Sequence, residues 1–137
     1  MKRLLIMIFV LCVVSTTYSQ TQSKLNETAE KSSMKSDQEM EVVLKKIAFL
    51  YKDKKLFLEK LRVSQECWLK FRKAQLDALY PAKDKQAAYG SVFPTAYASE
   101  KDALNKLRIK QLMVWINGIE EGNVGAGSVK FKSQLKK

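Results

Sequence analysis

The chain has 137 residues and carries 25 lysines and arginines against 14 acidic residues, a formal charge of +11, with no histidine. Without histidine, His-based catalytic triads, His metal ligands and the usual physiological-pH switch are excluded. Two cysteines are present, one inside an N-terminal apolar run, so an exported domain that has lost that run has no internal disulfide and rests on packing alone.

Met1-Lys2-Arg3 is a basic n-region, and Leu4 to Val14 is an unbroken apolar run, long enough for a signal-peptide core and too short to span a bilayer as a helix. Thr17 and Ser19 supply the small residues that a cut after Ser19 requires. Residues 1–19 are therefore expected to be a signal peptide, and the mature chain is expected in the periplasm or secreted. Cys12 would leave with the peptide. The loss of Lys2 and Arg3 takes the formal charge to +9, which implies attraction to polyanions such as cell-surface polymers or anionic lipid.

Residues 20–35 are polar and rich in Ser, Thr, Gln and Lys, and are expected to fray or to form a marginal helix. Asn26-Glu27-Thr28 matches an N-glycosylation acceptor. Ser36-Asp37-Gln38-Glu39 has the form of a capping box and predicts a helix start. Met40, Val43, Leu44, Ile47, Leu50 and Tyr51 follow at three- and four-residue steps, one face of an amphipathic helix. Asp53-Lys54-Lys55 interrupts the stripe, as a short connection or a polar turn of a longer helix. A second helix is predicted from Leu56 to Tyr80, stopped by Pro81. Residues 81–95 hold both prolines and predict a long ordered loop, with Val92-Phe93 tucked into the core. Thr95 or Ser99 is the expected cap of a last helix, in which Leu104, Leu107, Gln111, Trp115 and Ile119 keep helical spacing, and Gly122 is the expected C-terminal stop. Residues 124–137 are expected to be a flexible basic tail. No segment alternates apolar and polar residues for long, so the predicted class is all-α: an antiparallel bundle of three or four helices with a long ordered loop before the last, occupying residues 36–123.

The most informative segment lies on the second helix. Gln65, Trp68, Leu69 and Arg72 fall on one face, with Gln75 following. Burying the Arg72 charge without a partner would cost several kcal/mol. Asp37 is the expected counter-ion, with Asp102 the other candidate. Trp68 and Arg72 have two readings at this point: a core indole and a network that holds the bundle, or a face open to a partner, for which Trp and Arg are favoured.

The run from Leu61 to Gln75 resembles the LprI-like lysozyme-inhibitor family, whose central helix reads roughly L-x-x-[AS]-Q-x-x-W-[LI]-x-[FY]-R-[DK]-A-[QE]-C. Tyr89-Gly90-Ser91-Val92-Phe93-Pro94 is similar to that family's G-S-[IV]-x-P loop. The Asp37 segment resembles its earlier acidic helix start, and Arg108 to Asn123 its closing helix. The resemblance implies a small exported helical domain with lysozyme inhibition assigned to some members, and no cofactor, metal or catalytic residue. It brings Gly90, Ser91, Phe93 and Pro94 into the candidate set with Asp37, Gln65, Trp68, Arg72 and Gln75. The family commonly has cysteines where Leu76 stands and near Tyr97; both are absent here. Cys67 is expected to be an inert, partly buried thiol.

The functional expectation is a non-enzymatic binding protein whose partner is a protein of the envelope or the exterior, with lysozyme implied by the resemblance. The alternative is an electrostatic binder of anionic polymers or lipid. No carboxylate pair is placed for acid–base work, so an enzyme is not expected. Oligomeric state is not legible at this level.

Overall fold

The computed structural model describes residues 2–135, with side chains described from Thr21 onward. The expected signal-peptide side chains and cleavage site lie outside those described. Helix α1 runs Lys2–Leu50, α2 Lys55–Leu79, α3 Lys85–Tyr89 and α4 Phe93–Asn117; a single 3-10 turn, Gly90–Val92, joins α3 to α4, and a last short helix, α5, covers Lys132–Leu135. No β-strand occurs among the described residues, and the all-α class holds.

Periodicity explains how the long helices pack. In α1 the buried positions are Ser33, Ser36, Met40, Val43 and Ile47, continuing to Tyr51 just past its end. In α4 they are Ala98, Asp102, Asn105, Arg108, Ile109 and Leu112. Steps of three and four keep each set on one helix face. Cross-links Thr95–Asn26, Asp102–Ser32 and Asn105–Ser36 advance together along both helices, so α1 and α4 run parallel. Helix α2 returns antiparallel to both, with Arg72 against Asp37 and Gln65 against Met40. The seam between α1 and α4 changes character along its length. Its later half is apolar: Met40, Val43, Ile47, Tyr51, Leu61, Ile109 and Leu112 form one core cluster, against which Phe57, Trp68 and Trp115 pack. Its earlier half is polar, with Ser33, Ser36, Asp102 and Asn105 buried.

Several boundaries differ from the sequence expectation. Ser36 does not start a helix. It lies inside α1, and its hydroxyl donates to the Ser33 carbonyl at 2.9 Å, the back-bonding by which serine is accommodated in a helix interior. Residues 20–35 are helical because Asn26 and Ser32 have hydrogen-bond partners on α4, as does Ser36 just beyond them, and Ser33 is buried between the helices. The expected long loop 81–95 shrinks to a few residues, since Asp84 caps α3 by accepting from the Ala87 N–H, and Pro94 sits in the first turn of α4, where its missing N–H costs nothing. Thr95 and Ser99 therefore do not cap α4. That helix stops at Gly118, not Gly122: Gly118 has φ +68°, and a Cβ there would lie 2.9 Å from the Lys130 carbonyl oxygen. Cys67 is exposed rather than partly buried.

The segment expected as a disordered tail folds back on the bundle. Ile119 and Phe131 form a parallel bridge, and the Lys130 N–H donates to the Tyr51 hydroxyl at 2.8 Å. Lys130 Nζ donates to the Leu50 carbonyl at 2.5 Å and lies 4.8 Å from the centre of the Tyr51 ring. The ammonium thus meets a carbonyl that α1 cannot satisfy itself, at the negative end of the helix dipole. Removing residues 119–137 is expected to lower the thermal midpoint by several degrees, measured by circular dichroism, whereas loss of an unattached tail would leave it unchanged. Leu112→Ala, at a fully buried position, is expected to cost about 3 kcal/mol in urea unfolding.

Candidate functional site

The polar half of the bundle is organised around Asp37 and Asn105. Asp37 projects from α1, Arg72 from α2, and Lys101 and Asn105 from successive turns of α4. Arg72 Nη1 donates to Asp37 Oδ1 at 2.6 Å and to Asn105 Oδ1 at 2.5 Å. Lys101 Nζ meets the other oxygen, Asp37 Oδ2, at 2.6 Å. The Asn105 amide, 0 % exposed, donates to Ser36 Oγ at 3.0 Å and to Asp37 Oδ1 at 2.9 Å. One carboxylate thus balances two cations, and a buried amide joins all three long helices.

Burial by itself would raise the Asp37 carboxyl, but the hydrogen bonds and charges of Lys101 and Arg72 outweigh it and hold the group below its ordinary value. Asp102, the other candidate partner, makes no bond to Arg72. It accepts from Ser32 at 3.0 Å and from Lys106 at 2.7 Å, and these bonds outweigh its own burial.

Trp68 stands beside this cluster, with the guanidinium carbons of Arg72 and Arg108 5.2 and 5.9 Å from its ring centre. Gln65 links the helices below it: its Nε2 faces Met40 Sδ at 3.1 Å, and its Oε1 accepts from Arg108 Nε at 3.0 Å. Asp37, Gln65 and Arg72 line one wall of a cleft of about 340 Å³ between α1 and α2, with Met40, Glu41, Leu44 and Leu69. Gln75 is exposed and makes no side-chain hydrogen bond among the described residues.

Gly90, Ser91, Phe93 and Pro94 stand at the other end of this polar half. Gly90, at φ +69°, allows the chain to turn from α3 towards α4, and Ser91 is exposed. Phe93 joins Tyr80, Tyr89 and Tyr97 in an aromatic cluster with ring centres 5.3 to 6.0 Å apart. Phe93 and Pro94 line a second cleft, of about 290 Å³, with Asn26, Ser33, Met34, Tyr97 and Lys101. Lys101 connects the two sets, since it lines this cleft and binds Asp37. Asn26 is committed there by a hydrogen bond from Thr95.

Sequence reasoning missed Lys101, Asn105 and Arg108. A signal existed: Asn105 falls at core spacing with Ile109 and Leu112, so a polar residue interrupts an apolar stripe. Among the described residues no His, Cys, Asp or Glu cluster is arranged to hold a metal, and no helix is long and apolar enough to cross a membrane.

A small all-helical domain with a buried arginine–aspartate–asparagine cluster beside a tryptophan is the class this geometry defines. The chain matches the family described as Lysozyme inhibitor LprI over residues 12–112, most of its length, and belongs to that family. No curated relative and no solved structure matches it.

The sign of the Asp37 effect follows from its depressed ionisation. A carboxyl held below its unfolded value stabilises the fold above that value, and the contribution drains away as pH falls through the depressed one. Urea midpoints are therefore expected to hold steady near neutrality and to fall below about pH 3.8, and Asp37→Asn is expected to flatten that acid limb. Arg72→Met is expected to cost about 2 kcal/mol at neutral pH, because Asp37 keeps Lys101 but Asn105 loses its donor.

Proposed function

We propose that the protein is an exported, non-enzymatic inhibitor that binds a cell-wall-active protein of the lysozyme kind. Membership of the lysozyme-inhibitor family carries this reading. The basic start, the apolar run from Leu4 to Val14 and the small residues before Gln20 support export and cleavage near Ser19. On this reading the mature protein comprises residues 20–137. The docking face is Trp68 and Arg72 with the cleft between α1 and α2, continued through Lys101 to Gly90, Ser91, Phe93 and Pro94. Two features support that choice: a rigid cluster holds these groups in place, and Trp with Arg is the pairing that most often dominates binding surfaces.

The charge of the mature chain, +9 after the proposed cut, favours a second reading, in which the protein holds anionic envelope polymers or lipid through surface lysines. Salt separates the two. Electrostatic binding to a polyanion weakens steeply with ionic strength, whereas encounter between this basic chain and a cationic lysozyme speeds up as repulsion is screened.

Purified mature protein is expected to slow lysozyme-catalysed cell-wall lysis when in micromolar excess. Trp68→Ala or Arg72→Ala, with helical circular dichroism retained, is expected to weaken inhibition at least about tenfold, and Lys60→Ala to leave it unchanged. Absence of inhibition at that excess removes the lysozyme reading.

A further inference from the structure

Arg108 is more deeply buried than the other cations of the bundle interior and differs from them in its partners. Arg72 and Lys101 share Asp37, but no carboxylate among the described residues pairs with Arg108, which is 9 % exposed. Its three nitrogens each donate to a neutral side-chain oxygen: Nε to Gln65 Oε1 at 3.0 Å, Nη1 to Gln111 Oε1 at 3.2 Å and Nη2 to Ser64 Oγ at 3.1 Å. A guanidinium carries five N–H donors, so each terminal nitrogen keeps one in hand, the pair that a carboxylate engages in bidentate fashion. Burial also pushes this group below its ordinary ionisation, the mark of a charge that lacks compensation.

The surroundings suit an incoming anion. Ser64 and Gln111 are exposed, so the seam between α2 and α4 reaches solvent at the guanidinium's terminal edge. Each of the two helices also carries an exposed apolar side chain along this seam. Phe71 lies two turns from Ser64 on the same edge of α2 and is 55 % exposed; Leu107 adjoins Arg108 on the side of α4 that carries Gln111 and is 60 % exposed. A cation without a counter-ion on a seam that also carries exposed apolar side chains is complementary to an acidic side chain that itself has apolar neighbours in sequence.

The geometry points to Arg108, with Ser64, Gln111, Phe71 and Leu107, as a docking subsite for a glutamate or aspartate side chain of the protein partner. The inference rests on the protein-binding reading above and adds the chemistry of the contact. It places that contact on the α2–α4 seam, beside Trp68 and away from the α1–α2 cleft. The incoming carboxylate would accept from the remaining N–H on each of Nη1 and Nη2 and supply the missing negative charge.

The test uses the full mature chain, labelled with nitrogen-15, in about 0.15 M salt to suppress diffuse binding to surface lysines. Three probes are titrated: acetyl-Leu-Glu-Leu-amide, acetyl-Leu-Gln-Leu-amide and acetate. The glutamate peptide is expected to shift the Arg108 Nε–H and Trp68 indole resonances saturably, leave Trp115 in place, and bind at least about tenfold more tightly than either other probe. Arg108→Lys, which keeps the charge but not the fork, is expected to weaken it by about tenfold. Equal response to the glutamate and glutamine peptides, binding of acetate as tight as that of the peptide, or undiminished binding in Arg108→Lys each overturns the proposal. The wild-type comparison decides the matter even if a variant fails to fold. No lysozyme is present, so failure here leaves the inhibition assay standing, and failure of that assay leaves this subsite standing.

Discussion

The structure depends on the side-chain amide of Asn105. Buried without partners, an amide of this kind costs a few kcal/mol. Its donors reach Ser36 and Asp37 on α1 and its oxygen receives Arg72 from α2, so its demands are met only when the three helices hold one rotational and axial register. The apolar half of the seam contributes most of the attraction, but methyl and methylene groups tolerate small slips that hydrogen bonds do not. The division of labour is clear: Ile47 and Leu112 supply adhesion, and the Asp37–Arg72–Asn105 cluster supplies uniqueness. Polar groups at core positions of helical assemblies are known to fix register in this way at some cost in stability.

Much of the bundle could be read from spacing. The stripe from Met40 to Tyr51 and the helix that ends before Pro81 were both visible, because three- and four-residue steps leave few alternatives. Of the candidate residues, Asp37, Gln65, Trp68 and Arg72 lie together, while Gln75 stands apart in solvent. What could not be read was set by partners distant in sequence. Ser36 followed by Asp37 and Glu39 carries the signature of a helix start, and local chemistry permits one. The chain continues as helix because Asn105, far along the sequence, occupies the Ser36 hydroxyl. Pro94 was legible as a breaker and equally legible as a first-turn residue, and only the cap at Asp84 and the turn at Gly90 settle which. Gly122 is the stop that the sequence suggests, whereas α4 ends at Gly118. Close approach of the Lys130 backbone selects Gly118, and no local pattern announces that approach. Arg108 was hidden for a related reason, since an arginine on a basic chain draws no notice until its neighbours are known to be neutral.

Electrostatics link the fold to its surroundings. The chain is strongly basic, yet its partly buried cations near Asp37 share a counter-ion in place, which leaves that cluster with one net positive charge rather than two. Arg108 is the exception within the same half of the bundle, and it faces a different seam. On the proposed reading, selectivity for a partner rests on shape and charge. Rigid Trp68 between two guanidiniums provides shape, and uneven pairing of those guanidiniums provides direction.

The attachment at the far end of the bundle bears on how the protein survives. The stretch carrying Lys130 lies beyond the residues matched by the family, yet it closes the corner where α1 hands over to α2. A chain interrupted shortly after α4 would keep all three long helices and still present a fraying carbonyl end at Leu50. Such a corner is the sort of opening that proteases cut first, so degradation would sort molecules that carry this stretch from those that lack it.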